Sequence, residues 1–253
     1  MTWESKWPNK PDVVFEGGNA AIDDNGFTTE LDDLSILSTY HKLQEGQLGA
    51  LVATSASTAQ IANFAASISA IYPDFWPETL RGLTVHSASW PKALWNQFTQ
   101  QHKTTKQNIE TMLRVCGYGL PDLHKARESA SNSLTLIAQE YIQPFREKTN
   151  SNDYQTNDMH LFELPWPVEA LSELPGETPV RIDVTLSYFV EPGPGEIGWR
   201  DKYRYRSHGL HFDAKKPTES KEEFVARLNK AADLLPETSL TLMRVCSTFR
   251  RSK

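Results

Sequence analysis

The sequence predicts an α/β region followed by a β-rich, sandwich-like region, and three observations predict it. From Ser55 onward, Ile61, Phe64, Ala65, Ile68 and Ile71 recur at helical spacing, and Ala56, Ala59, Ala62, Ala66 and Ala70 fill much of the rest. Further along, Val180, Ile182, Val184, Leu186 and Tyr188 alternate with Arg181, Asp183, Thr185 and Ser187, the period of two of a half-buried strand. Between these two textures lies Lys148-Thr149-Asn150-Ser151-Asn152-Asp153, a polar stretch with the composition of a linker. The expected domains are residues 1–147 and 158–253.

In chain order, Lys10-Pro11-Asp12-Val13-Val14-Phe15 reads as a short buried strand after a proline, ended by Glu16-Gly17-Gly18-Asn19. Ile22 to Asp33 reads as an acidic, polar loop. Gln47 to Val52 reads as a second short strand, running into the turn Ala53-Thr54-Ser55-Ala56-Ser57. The helix that follows is so apolar, and its side chains so small, that a central position with close neighbours on several sides is expected. Pro73 stops it. A second helix is expected from Pro77 to Ser87, with the proline in its first turn and Leu80, Leu83 and Val85 as core contacts. Trp90-Pro91 breaks it. Residues 103–115 read as a helix that ends in the turn Cys116-Gly117-Tyr118-Gly119, and Leu123 to about Ala138 mixes turn with helix or strand. In the second region, Glu191-Pro192-Gly193-Pro194-Gly195 is a tight loop. Tyr203-Arg204-Tyr205-Arg206 and Leu210-His211-Phe212-Asp213 read as strands. Ser220 to Leu235 returns to helical character, with Phe224, Leu228 and Ala231 on one face.

Bulk properties narrow the function. With 39% hydrophobic and 23% charged residues, the 253-residue chain has the composition of a soluble globular protein. A formal net charge of -6 offers no electrostatic footprint for nucleic acid. No stretch reaches the roughly 18 to 20 apolar residues of a membrane helix, and the first residues lack the apolar core of a secretory leader. Cys116 and Cys246 are far apart and neither has a CxxC or Cys/His neighbour, which argues against a zinc site and a disulfide framework. Two scattered thiols suit a reducing, cytoplasmic compartment.

The turn at Ser55 carries the chemistry. A short strand ends in Ala53-Thr54-Ser55, and the serine opens a small-residue helix. A helix start places unpaired N–H groups and a positive dipole end beside the serine oxygen, which suits an oxyanion forming there. Small neighbours let a substrate backbone approach. Ala53-Thr54-Ser55-Ala56-Ser57-Thr58-Ala59 resembles the serine segment of subtilisin-like serine peptidases, Gly-Thr-Ser-x-Ala-[Ser/Thr]-[Pro/Ala]. Lys10-Pro11-Asp12-Val13-Val14 resembles the strand that precedes that segment. Tyr72-Pro73-Asp74 with Leu80-Arg81-Gly82-Leu83, and Gly117-Tyr118-Gly119-Leu120-Pro121-Asp122, resemble the helices and the turn that follow it. The likeness covers about residues 7–130. It implies part of a subtilisin-like parallel-sheet domain. The β-rich remainder resembles an accessory domain found after some bacterial members.

The resemblance also implies a mechanism. Ser55 attacks a peptide carbonyl, Thr54 and Ala53 support the turn, and the Ser55 N–H helps form the oxyanion hole. The family orders its triad Asp, His, Ser, and its aspartate, histidine and oxyanion asparagine lie well upstream of the serine. Only 54 residues precede Ser55 here, so this chain alone is expected to be inactive. The implied partners are a protein or peptide substrate and, for the missing groups, an upstream segment or a separately encoded N-terminal half. Alternatively the chain is a non-catalytic protein-binding module in which Ser55 caps a helix.

Other polar residues have plainer readings. His41, in Thr39-Tyr40-His41-Lys42, and His86, at a helix end where a cation is favourable, are expected to serve structure. His208 and His211, with Asp213 nearby, lack the further ligands of a metal site. Asp23, Asp24, Asn25, Gly26, Glu30, Asp32 and Asp33 hint at calcium, which some subtilases bind, without the EF-hand spacing; a solvated acidic loop is the plainer reading. Arg200, Lys202, Arg204 and Arg206, interleaved with Tyr203 and Tyr205, read as the outer face of a strand rather than a nucleic-acid surface.

Overall fold

The computed structural model describes residues 10–99, 105–132, 134–143, 145–147, 149, 154–156, 160–163, 167–176, 178, 180–189, 210–211, 213, 215–216, 219–233 and 241–246. The chain divides into two compact units, Met1–Ser129 and Ala130–Lys253.

Two antiparallel hairpins open the first unit. β1 (Ala20–Ile22) pairs with β2 (Thr28–Glu30). Asp23 closes their turn: its Oδ1 accepts from the N–H groups of Asn25 at 2.9 Å and Phe27 at 2.8 Å. Gly26 supplies the positive φ, 82°, that the turn needs. The stretch expected as an acidic loop is therefore a hairpin followed by a single 3-10 turn at Asp32–Leu34. Ala20, Ala21 and Ile22 pair with Glu30, Thr29 and Thr28, and Asp23, Asp24 and Glu30 are exposed. β3 (Ile36–Thr39) pairs with β4 (Leu48–Leu51), Ile36 opposite Leu51 and Thr39 opposite Leu48. Residues 11–15 bend at Asp12 and join no strand among the described residues. Asp12 and Val14 instead bond the glycine turn near the far end of the unit: Tyr118 N–H donates to the Asp12 carbonyl at 2.8 Å, and Val14 N–H to the Gly119 carbonyl at 3.0 Å.

α1 (Thr54–Ile71) begins at Ala53 and ends at Tyr72, just ahead of Pro73. Its neighbours lie on one side. Phe64 and Ile68 are buried and Ser57, Ile61 and Ala65 partly so, while Ser55, Ala59, Ala62, Ala66 and Ala70 are exposed. Phe64 meets Phe15 edge to face at 5.9 Å between centroids. α1 packs on α2 (Pro77–Ser87), which has the bounds its sequence predicts and buries Leu83, Thr84 and Ser87. α3 (Lys92–Phe98) packs on α4 (Lys106–Cys116), whose cap residue Thr105 accepts from Asn108 N–H at 3.2 Å. α5 (Leu123–Ser131) is opened by Asp122, which accepts from Lys125 N–H at 2.9 Å.

The turn after α4 holds these pieces together. Gly117 has φ 56°, and a Cβ there would fall on the carbonyl oxygens of Pro11 and Asp12. Gly119 has φ 98°, and a Cβ there would fall on the Ser89 carbonyl. Only glycine permits both the left-handed backbone and the close approach. Trp90 Nε1 donates to the Gly117 carbonyl at 3.0 Å, and Ser89 and Leu120 exchange backbone hydrogen bonds of 3.0 and 2.8 Å. The Arg81 guanidinium forks onto the Asp12 carboxylate at 3.2 and 3.1 Å, tying the 11–15 segment to α2.

In the second unit, β5 (Phe145–Glu147) and β6 (Tyr154–Thr156) form an antiparallel pair. β7 (His160–Glu163), β9 (Thr241–Cys246) and β8 (Leu210–His211) form a parallel sheet with β9 in the middle. α6 (Val168–Ser172) is short; α7 (Lys221–Asp233) is opened by a capping box. Glu223 N–H donates to Ser220 Oγ at 3.1 Å and Ser220 N–H to the Glu223 carboxylate at 2.8 Å. Phe224 and Leu228 of α7 are fully buried. Arg227 donates to Glu219 at 2.7 and 3.1 Å and to Asp213 at 2.6 Å. The hydrogen bond from Arg227, then that from the Lys216 N–H, lowers the Glu219 carboxyl to a pKa of about 2. Residues 180–189, despite their alternation, form no ladder among the described residues. The loop 191–195, the segment 203–206 and most of the linker 148–153 lie outside the described residues, as do His208, Arg200 and Lys202.

Candidate active site

The turn that carries Ser55 is fixed on its inner side by one extended segment, residues 15–17. Ala53 N–H donates to the Gly17 carbonyl at 2.8 Å. The Ser57 hydroxyl donates to the Phe15 carbonyl at 3.0 Å, and Gln60 Nε2 to the Glu16 carbonyl at 2.7 Å. Three successive carbonyls are thus held by the first two turns of α1. Close approach requires Gly17: a Cβ there would lie 2.9 Å from Ser57 Oγ and 3.2 Å from the Ala53 oxygen. Ala53 itself has φ −160° and ψ 144°, an extended conformation open to any residue. Alanine in place of the family's glycine is therefore free of backbone strain.

The outer side of the turn is open. Thr54 and Ser55 are exposed, and Ser55 Oγ makes no hydrogen bond with a described residue. The N–H groups of Thr54 and Ser55 likewise have no acceptor among the described residues, and alanine at the cap offers no side-chain oxygen. An 18-residue helix therefore aims its positive end and unsatisfied donors at the space beside a free hydroxyl. Such donors stabilise negative charge on an oxygen formed next to the serine. Among the described residues, no base is hydrogen-bonded to Ser55.

Neither of the two histidines read as candidate bases, His41 and His86, is hydrogen-bonded to Ser55. His41 is exposed, with its ring 4.9 Å from that of Tyr40. It lies past Thr39, at the far end of the β3–β4 ladder from Leu51 and Ser55. Four ladder residues at about 3.4 Å each make that ladder roughly 10 Å long, so His41 is well beyond hydrogen-bond reach of the serine. His86 is in the last turn of α2. Ser55 has no hydrogen bond to any histidine or carboxylate among the described residues.

The candidate metal residues are engaged otherwise or dispersed. Asp23 is occupied by its turn, Asp24, Glu30, Asp32 and Asp33 are exposed, and Asp213 is held by Arg227. Among the described residues, no three or more histidine, cysteine or carboxylate groups are placed to hold a metal ion. Cys116 is buried at the end of α4, and burial pushes its thiol up from its ordinary value, away from the reactive thiolate. No helix among the described residues is long and apolar enough to cross a membrane.

Gly17, Ser57 and Gln60 form the supporting side of the turn, and sequence reasoning missed that role. The one signal was the glycine pair after a short apolar run, which reads equally well as a strand end.

No curated protein and no solved structure matches the chain. The model of the subtilase family, peptidase S8, matches residues 1–119, a span that holds Ser55, the extended segment beneath it and the glycine turn: in this part the chain is similar to subtilases.

Proposed function

We propose that Ser55 is the nucleophile of a subtilisin-like serine endopeptidase whose histidine base and orienting aspartate come from outside this chain, on an upstream segment or a separately encoded half. The match to the subtilase family supports a serine peptidase-like function. The observation that carries the finer reading is the open side of the serine turn. An exposed, unbonded Ser55 hydroxyl stands beside unsatisfied N–H donors of a long helix. The opposite side of the same turn is rigidly held.

In this reading a base on the open side takes the Ser55 proton, and Oγ attacks the peptide carbonyl. The carbonyl oxygen, now negative, is met by the Ser55 N–H. The same proton then goes to the departing amine, leaving an acyl-enzyme that water cleaves. In this reading the chain alone does not supply the base, so its serine has ordinary, weak nucleophilicity.

The test is labelling with a fluorophosphonate probe. The chain alone is expected to stay unlabelled. Mixed with, or fused behind, a subtilase segment that carries the aspartate and histidine, it is expected to be labelled at Ser55, with the label lost in Ser55→Ala. If Ser55 stays unlabelled in a folded complex with that segment, the peptidase reading fails and the chain is a binding module.

A further inference from the structure

We infer that the two hairpins between Ala20 and Leu51 form a docking surface for a polypeptide partner with an apolar contact face rimmed by lysine or arginine. The first observation is the face of β3–β4. Strand alternation and register put Leu37, Thr39, Leu48 and Ala50 on one side of the hairpin. All four are exposed, Leu37 by 70% and Leu48 by 57%. The other side, with Ile36, Ser38 and Gly49, is the half-buried one. An antiparallel pair commonly turns its apolar side inward, and here leucines stand on the open side.

The second observation is extent. Seven large apolar side chains from Ile22 to Leu48 are at least 39% exposed. At roughly 100 Å² apiece they amount to about 700 Å², close to what one partner contributes to a standard interface. The hairpins share a base, since Asn19 N–H donates to the Leu34 carbonyl at 2.8 Å. Gly18 also lies against the Leu51 carbonyl and Val52.

Charge identifies the occupant. Residues 16–51 contain seven carboxylates and one lysine, which equals the whole chain's net charge of -6. The lysine, Lys42, is paired with Glu45 at 3.1 Å. The other six carboxylates are exposed, and none is in an ion pair among the described residues. A second copy of this chain is a poor occupant, because a two-fold contact sets the same acidic rim against itself. An anionic membrane surface is repelled for the same reason. A basic-rimmed apolar surface satisfies both features, and steering by the acidic rim speeds the encounter. This inference does not depend on Ser55 being a nucleophile.

The test uses the full chain and two synthetic 14-residue helical peptides, each with a leucine face. One carries lysines on its polar face, the other glutamates, and binding is read by fluorescence anisotropy. The lysine peptide is expected to bind and to weaken as salt rises; the glutamate peptide is not expected to bind. The double variant Leu37→Ser, Leu48→Ser changes no charge and removes only exposed side chains, so its thermal melt is expected to be unchanged. It is expected to bind the lysine peptide at least about tenfold more weakly. Undiminished binding by that variant would reduce the attraction to bare charge and overturn the proposal. So would equal binding of both peptides, tighter binding to phosphatidylcholine vesicles than to the lysine peptide, or a dimer of the chain that the double variant dissolves.

Discussion

The two faces of α1 share one backbone, yet they do opposite things. The face of Ser57, Ile61, Phe64 and Ile68 is anchored: Ser57 holds the Phe15 carbonyl, with Gln60 and Ala53 holding the next two, and Phe64 is seated against Phe15. The face of Ser55, Ala59, Ala62, Ala66 and Ala70 touches little and is exposed along its length. The large side chains sit on the anchored face and the small ones on the open face. The same split runs through the serine turn, held from within by Gly17 and open outward at Ser55.

That contrast can be broken most severely at Phe64. Phe64→Ala removes the largest buried side chain of the anchored face and is expected to cost about 3–5 kcal/mol. A urea titration checks it, and a cost under about 1 kcal/mol would mean that the two faces are alike. Next is Gly17→Val, which forces a side chain against Ser57 Oγ and the Ala53 carbonyl. It is expected to cost about 1–3 kcal/mol, read the same way.

Asp12 probes how the 10–15 segment is tied down. Burial acts to raise its carboxyl, but hydrogen bonds from Arg81 and Lys10 outweigh burial and hold it below the ordinary 3.8. The folded state therefore binds this proton more weakly than the unfolded state. The stability Asp12 contributes is present at neutral pH, above the unfolded value, and is lost as pH falls below 3.8 through the depressed folded value. Wild-type urea midpoints are expected to fall over that window, and Asp12→Asn is expected to flatten the fall. The smallest effect belongs to the open face. Ala62→Gln and Ala66→Gln are each expected to change stability by no more than about 0.5 kcal/mol. A loss of several times that would show that the face is packed in solution.

Local features were legible because their causes are local. The bounds of α2 follow from Pro77 at one end and the Trp90-Pro91 break beyond the other. α1 stops before Pro73, and β4 and α7 lie where their patterns put them. α3 went unread because seven residues hold too little of a 3.6-residue period. The hairpin at 20–30 went unread because its strands are three residues long and its turn is closed by one aspartate side chain. Residues 180–189 show the converse: alternation without a ladder among the described residues, because a strand needs a neighbour that its own sequence cannot name.

By itself the sequence determined that a serine opens a small-residue helix, that proline and glycine bound the helices, and that the resemblance to subtilases runs through this part. Tertiary structure alone decided which face of α1 is buried. Alanines and isoleucines around a helix satisfy either choice, and the choice follows from where Phe15 and Gly17 come to lie, some forty residues away along the chain from the side chains they meet. It also decided that Ala53 is unstrained, since φ at that residue depends on how the turn docks and not on the residue type. And it decided that Ser55 faces open space, with no acceptor among the described residues for the first helix donors, because whether a helix start is covered depends on long-range contacts and not on the residues of the turn.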